Sequence, residues 1–148
     1  ASGGVEMMAA AVSAVRECRS QNPTMTTRVL AVTILTSLDD EDLRQMGMAH
    51  SVSGQVLNLA RLARAAGVDG LVASPQEVRL LRAEHERNFI LVTPGIRPAG
   101  NESHDQKRVM TPRQAIEEGS DFLVMGRSLL DAPEPEKVVQ QVLAEIGR

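Results

Sequence analysis

The residues of this chain that could bind a ligand lie directly after short apolar runs. The last such group, Gly126-Arg127-Ser128, places an arginine next to a glycine. A glycine lets backbone N–H groups approach an anion closely, and an arginine side chain offers forked donors to phosphate oxygens. These three residues favour a phosphate site as much as they favour a plain turn followed by a solvated charge.

A longer polar stretch follows the preceding apolar run, from Thr93 to Met110. It contains Arg97, Gln106 and Lys107, all of which can donate hydrogen bonds to an anion. Polar loops of this length in a compact domain are commonly binding loops or lids. We interpret the stretch as such a loop, and a flexible surface insertion is the alternative.

Thr36 and Ser37 form a third group, after the first apolar run. An acidic segment follows them, so on their own these hydroxyls are better explained as helix caps than as ligand contacts.

Short apolar runs and longer amphipathic segments alternate along the chain, which predicts a parallel sheet whose strands are covered on both faces. The strands are expected at residues 29–34, 70–73, 89–92 and 122–125, and the helices at 5–17, 41–46, 52–66, 75–84, 112–118 and 134–146. Ser74 with Glu77, and Thr111 with Gln114, have the spacing of capping boxes.

A weak internal repeat supports this alternation. Gly67 and Gly119 are each placed to end a helix in the left-handed conformation. An aspartate follows each glycine at the next position but one, as Asp69 and Asp121, and an apolar run begins directly after it. The sequence therefore predicts one αβ unit used twice.

Four parallel strands could form a small open sheet or half of an eight-stranded barrel. A complete (β/α)₈ barrel needs roughly 250 residues, and the chain has 148. We favour the half-barrel, with residues 1–148 as a single segment of that domain.

The composition argues against several classes of protein. The net charge is −3 and the aromatic residues are two Phe, without Tyr or Trp, so neither a basic groove nor stacking platforms for nucleic acid are expected. No apolar run approaches the roughly 20 residues of a membrane span. The single cysteine, Cys18, suits a reducing cytosol, and His50, His85 and His104 lack metal-ligand spacing.

Taken together, the motifs resemble the orotidine 5′-phosphate decarboxylase family of the bacterial type. They are VTPGIRPAG at 92–100, DQKRVMTP at 105–112 and VMGRS at 124–128, supported by AVTILTS at 31–37 and the opening ASGG. The resemblance implies an α/β fold, a (β/α)₈ TIM barrel to which this chain contributes roughly the second half, strands 5–8 with their helices.

The same resemblance implies roles for residues of the loops that follow the strands. Arg127 and the Gly126 amide would bind a phosphate, with Arg97 at the same end of the ligand. Gln106 would reach both phosphate and pyrimidine, and Thr36, with Ser37 beside it, would meet the pyrimidine ring. No metal and no cofactor are implied.

The reaction implied is decarboxylation of orotidine 5′-monophosphate to uridine 5′-monophosphate, by a cytoplasmic homodimeric lyase of pyrimidine biosynthesis. The family's catalytic Asp-x-Lys-x-x-Asp array precedes the ASGG loop and does not occur in this sequence, so no catalytic residue is assigned here. Lys107 and Lys137 lie elsewhere in the chain. We therefore expect the chain to be inactive by itself.

Two other hypotheses stay open at this point. One is a non-catalytic phosphate-binding half-barrel module. The other is a related barrel enzyme acting on a sugar phosphate, against which Gln106-Lys107-Arg108 speaks.

Overall fold

The computed structural model of the chain describes residues 1–85, 88–98 and 108–147. Within these residues, four parallel strands form one sheet in the order β1-β2-β3-β4. The strands are β1 (Leu30–Val32), β2 (Gly70–Val72), β3 (Ile90–Thr93) and β4 (Phe122–Leu123). Each overlaps one of the predicted runs, so all four predicted strands are confirmed, although most are shorter than the run.

Helices lie before, between and after these strands. They are α1 (Gly4–Gln21), α2 (Asp40–Gln45), α3 (Val52–Ala65), α4 (Val78–Glu84), α5 (Pro112–Glu118), α6 (Arg127–Leu130) and α7 (Pro135–Glu145), with a 3₁₀ turn at Pro75–Glu77 before α4. The six predicted helices are confirmed. Helix α6 was not predicted, because four residues are too short to show a helical period.

Within the described ranges, no helix combines the length and the apolar character that crossing a bilayer requires.

The local signals for helix ends mostly hold. Thr111 and Gln114 form the predicted capping box, and Gly67 and Gly119 adopt φ of 76° and 112° in the left-handed region. At Ser74 the predicted N-cap is confirmed, but the predicted capping box is not formed. Its hydroxyl accepts from the Gln76 amide at 3.3 Å, and the Glu77 carboxylate turns to another partner described below.

The two faces of the sheet differ in burial. Ala31, Leu71 and Leu91 stand side by side in register and are buried. They belong to a core cluster that includes Met8 of α1 and Val56 of α3. Burial of this row against the helices stabilises the sheet, by about 1.5–3 kcal/mol for each of the two leucines.

The neighbouring row points to the opposite face and is much less covered. Val32, Val72, Val92 and Phe122 stand in register, and Val32 and Phe122 are 45% and 59% exposed. The prediction that the strands are covered on both faces is therefore wrong for this row. A strand that is apolar throughout is expected to be buried on both faces of the sheet. The helices described here cover the face that carries Leu71, and the face that carries Val32 would need a further element to cover it.

The internal repeat has a structural basis. The Asp69 carboxylate accepts from the Val29 amide at 2.7 Å, and the Asp121 carboxylate accepts from the Leu91 amide at 2.7 Å. Each aspartate thus binds the backbone near the amino end of the preceding strand, which fixes where neighbouring strands begin to pair.

Candidate functional site

A cavity of about 400 Å³ opens at the carboxyl ends of the four strands. Its floor includes Val32 and Val72, which belong to the poorly covered row of the sheet. The polar or glycine residues that line it are Thr36, Ser37, Gly95, Arg97, Gly126 and Arg127. Four of the five predicted binding residues therefore line one cavity, and the fifth, Gln106, lies outside the described residues, as do Lys107 and His104.

Arg97 is the most deeply placed cation of the cavity, with 7% of its surface exposed. Its Nη1 donates to the Ile96 carbonyl at 3.0 Å and to the Ser128 hydroxyl at 3.3 Å. Within the described part of the chain, its Nε has no hydrogen-bond partner and its guanidinium pairs with no carboxylate. A buried positive charge without a counter-charge is unfavourable, so this arrangement is suited to an anionic ligand.

The backbone around Arg97 is held by the residues that follow the long polar stretch. The Arg97 amide donates to the Met110 carbonyl at 3.0 Å, and the Met110 amide donates to the Gly95 carbonyl at 3.3 Å. These bonds tie the segment after β3 to the segment before α5, so the backbone of Arg97 has a defined position relative to the sheet.

Ser128 is a site residue for which the sequence motifs predicted no role. It is buried, and its hydroxyl donates to the Ile96 carbonyl at 3.4 Å while accepting from Arg97. The hydroxyl therefore orients the Arg97 guanidinium. The signal available in the sequence was its position directly after Gly126-Arg127.

Gly126 lies between β4 and α6. A Cβ atom built on it would meet no other atom within 4 Å, so the backbone at Gly126 borders open space. Because Gly126 and Arg127 both line the cavity, the main chain and an arginine side chain meet it at the same corner.

The loop after β1 carries Thr36 and is held by an arginine from a distant part of the sequence. Nη2 of Arg108 donates to the Leu35 carbonyl at 2.9 Å and to the Ile34 carbonyl at 3.3 Å. Nη1 of Arg108 donates to Glu77 Oε2 at 2.6 Å, and both side chains are buried. In the sequence, Arg108 is recognisable only as part of the DQKRVMTP motif, and the position of Glu77 predicted a capping box with Ser74.

Two further groups lie outside the cavity lining. His85 is buried at the end of α4, and burial of its ring lowers the pKa of the imidazole below 6.5, helped by the positive charge of Arg64. Among the residues that the structure describes, no three His, Cys, Asp or Glu side chains come together as metal ligands would.

Parallel strands joined by helices, with a cavity containing two arginines at their carboxyl ends, define a protein of the barrel-type α/β class whose sites lie at that end. The family model for the orotidine 5′-phosphate decarboxylase / HUMPS family matches residues 1–142. The chain belongs to that family, as the sequence motifs predicted.

Relatives of known name agree with this assignment. An orotidine 5′-phosphate decarboxylase from Geobacter metallireducens is 48% identical over 145 residues, which are 97% of this chain and 59% of that protein. One from Actinobacillus pleuropneumoniae is 48% identical over 99% of this chain and 62% of its own length. The chain therefore spans about three-fifths of the length of these relatives.

Solved structures give the same result for the fold. The orotidine 5′-phosphate decarboxylase from Lactobacillus acidophilus superposes with a TM-score of 0.69 at 36% identity, over 84% of this chain and 51% of that one. This confirms that the chain has the fold of a partial (β/α)₈ barrel.

Proposed function

We propose that this chain is the C-terminal half-barrel, residues 1–148, of an orotidine 5′-phosphate decarboxylase. In this proposal it binds the phosphate and the pyrimidine of orotidine 5′-monophosphate, and the complete protein converts this nucleotide to uridine 5′-monophosphate in pyrimidine biosynthesis. The observation that carries the proposal is the buried Arg97 without a carboxylate partner among the described residues, in a cavity shared with Arg127.

The phosphate is assigned to the corner of the cavity formed by Arg97, Gly126 and Arg127. Two guanidinium groups supply charge and paired donors, and a glycine allows a phosphate oxygen to approach the backbone. A phosphate dianion would compensate the buried charge of Arg97. Gln106 is proposed to join this contact from the stretch that the structure leaves undescribed.

The pyrimidine is assigned to the side of the cavity lined by Thr36 and Ser37. Thr36 is 7% exposed, so a hydrogen bond between this residue and the ligand would be shielded from water. Val32 and Val72 give this part of the cavity an apolar floor, which suits the flat face of a heterocycle.

The group that carries out the chemistry is proposed to come from chain before Ala1. The nitrogen of Ala1 donates to the Val32 carbonyl at 2.7 Å, so the start of this sequence lies against β1. A strand that ended just before Ala1 would be placed beside β1 with its carboxyl end at the cavity. The family's Asp-x-Lys-x-x-Asp array, if it lies on that strand, would then face the pyrimidine.

In the proposed mechanism, loss of CO₂ leaves a carbanion at C6 of the pyrimidine, and the lysine ammonium from the preceding half stabilises and then protonates it. The residues of this chain act at a distance from that carbon. Binding energy from the phosphate holds the nucleotide in one orientation and lowers the barrier at the reacting carbon.

The first measurement is the intact mass of the protein as it exists in the cell that makes it. A mass well above 16.0 kDa supports the proposal and calls for a direct assay of decarboxylation. A mass of about 16.0 kDa contradicts the enzyme and favours a stand-alone phosphate-binding module.

The second measurement is binding of uridine 5′-monophosphate to the intact protein by calorimetry. Arg127→Ala should weaken binding by about tenfold or more, because a hydrogen bond to a charged group contributes about 1.5–3 kcal/mol. Arg79→Ala, which removes an exposed arginine of α4, is the matched control and should leave the affinity unchanged. Turnover of a sugar phosphate in place of the nucleotide would contradict the proposal.

We also propose that the complete protein is a cytoplasmic homodimer that needs no cofactor and does not bind nucleic acid or membrane. Light scattering at several protein concentrations tests the dimer, and a monomer at every concentration would contradict it.

A further inference from the structure

Arg108 links three segments that are far apart in sequence. Its guanidinium binds the carbonyls of Ile34 and Leu35, 74 and 73 residues away, and the carboxylate of Glu77, 31 residues away. Ile34 and Leu35 immediately precede Thr36 and line the same cavity. One side chain therefore ties the backbone that carries Thr36 to the turn after β2.

The Glu77 carboxylate orients the Arg108 guanidinium. It lies in the 3₁₀ turn Pro75–Glu77 that follows β2, and it is 4% exposed. The carboxylate of a glutamate three positions after Ser74 would ordinarily return to the backbone of its own helix start. Here it binds Arg108 Nη1 at 2.6 Å instead, while the Ser74 hydroxyl still accepts from the Gln76 amide. Glu77 therefore makes a long-range contact in place of the second half of a capping box.

A buried ion pair of this kind is poor evidence for a stabilising role. Taking both charges out of water costs about as much as their attraction returns, and an apolar pair of similar volume is often equally stable or more so. What an apolar pair cannot do is donate hydrogen bonds to the carbonyls of Ile34 and Leu35. The property that an apolar replacement would not preserve is therefore the pair of hydrogen bonds from Arg108 to the loop after β1.

We infer that Arg108, held by Glu77, is a positioning residue that sets Thr36 against the pyrimidine part of the ligand. It touches neither the ligand nor the phosphate corner, and it acts through the backbone of residues 34–36. This inference rests on the proposed function. It predicts that loss of Arg108 weakens recognition of the base and spares recognition of the phosphate.

The test uses the intact protein with Glu77 and Arg108 both replaced by methionine. The double replacement leaves no lone buried charge, so the protein should fold. The matched control is the same change at the exposed ion pair of Arg61 with Glu84, which joins α3 to α4 at 2.7 Å. Inhibition constants are measured for uridine 5′-monophosphate and for ribose 5-phosphate, which carries the phosphate without the base.

We expect the Glu77/Arg108 double variant to bind uridine 5′-monophosphate on the order of tenfold more weakly. Its affinity for ribose 5-phosphate should stay within about twofold of the unmodified protein. The control pair should change neither constant. An equal loss for both ligands would mean that Arg108 only supports the fold, and would overturn the inference.

Thr36→Ala provides a second, independent comparison. Thr36→Ala is also combined with the Glu77/Arg108 double variant. If Arg108 acts through Thr36, the combined variant loses less binding free energy for uridine 5′-monophosphate than the sum of the two separate losses. Additive losses would overturn the inference. Arg108→Lys keeps the charge, but its three donors lie on a single nitrogen and cannot reproduce the fork by which Nη1 binds Glu77 while Nη2 binds the two carbonyls. It should show an intermediate loss for the nucleotide and none for ribose 5-phosphate.

Failure of the proposed function gives a different result. Unmodified protein that binds ribose 5-phosphate and not uridine 5′-monophosphate would refute the nucleotide proposal, and the inference with it. The inference alone would be refuted if the unmodified protein prefers the nucleotide but the variants lose affinity for both ligands equally.

Discussion

Nη1 of Arg97 lies 3.3 Å from the hydroxyl of Ser128, and both groups also bind the Ile96 carbonyl. The three groups form a closed set of hydrogen bonds between the segment after β3 and helix α6. Ser128 is the residue directly after Arg127. The orientation of Arg97 is thus coupled to the position of the other arginine of the cavity.

Replacing Ser128 by alanine should weaken phosphate recognition. The Arg97 guanidinium would lose the acceptor that orients it, and one hydrogen bond of about 1 kcal/mol corresponds to about a fivefold loss in affinity for uridine 5′-monophosphate. Calorimetry on the intact protein measures the change. Ser13→Ala, at an exposed position of α1, is the control, and an unchanged affinity for Ser128→Ala would contradict the orienting role.

The two aspartates of the repeat should differ in their effect on stability. Each accepts a backbone amide at 2.7 Å, but Asp121 also binds Arg82, whose side chain is 12% exposed, whereas Arg28 beside Asp69 is 59% exposed. We expect Asp121→Ala to lower the free energy of unfolding by about 2–3 kcal/mol and Asp69→Ala by about 1 kcal/mol. Urea unfolding of the two variants measures this difference, and equal losses would contradict the prediction that the less exposed arginine partner contributes more.

His85 should make the folded protein less stable in mild acid. Burial lowers the pKa of its imidazole below the value of 6.5, and the charges of Arg64, Arg61 and Arg82 act in the same direction while Glu84 opposes them. The unfolded chain therefore takes up this proton more readily than the folded protein. The stabilisation is present above the unfolded pKa near 6.5 and is lost as the pH falls through the lower folded pKa.

The measurement is urea unfolding at about pH 7.5 and at about pH 5, for the protein and for His85→Leu. The variant should lose less stability between the two pH values, because leucine takes up no proton. His50→Ala, at an exposed histidine, is the control and should follow the unmodified protein. An identical pH dependence in His85→Leu would show that this histidine is not responsible.

Residues 1–148 expressed alone should fold poorly as a monomer. Among the described residues, β1 and β4 each pair with a single strand, and Val32, Phe122 and Val124 at these edges are 45%, 59% and 47% exposed. Unpaired strand edges with apolar side chains favour association with other chains. Sedimentation and thermal melting should show aggregation or a broad transition, and a monodisperse monomer that melts cooperatively would contradict the prediction.

Features that depend on neighbouring residues could be predicted from the amino-acid sequence. The alternation of apolar runs and amphipathic segments predicted the strands and most helices, and the left-handed glycines Gly67 and Gly119 followed from their place after a helix. The Thr111–Gln114 capping box is equally local. The motifs around Arg97 and Arg127 also predicted which residues line the cavity, because the carboxyl ends of parallel strands meet at one edge of a sheet.

The partners of the long side chains, in contrast, depend on how the strands and helices pack together. The spacing of Ser74 and Glu77 predicted a capping box, yet only Ser74 caps the helix. Glu77 is bound to Arg108, because a buried guanidinium is a stronger partner than a backbone amide. The role of Ser128 depends on Arg97, 31 residues earlier in the sequence. Contacts over such separations leave no period or spacing in a single sequence, so they became visible only when the strands were placed side by side.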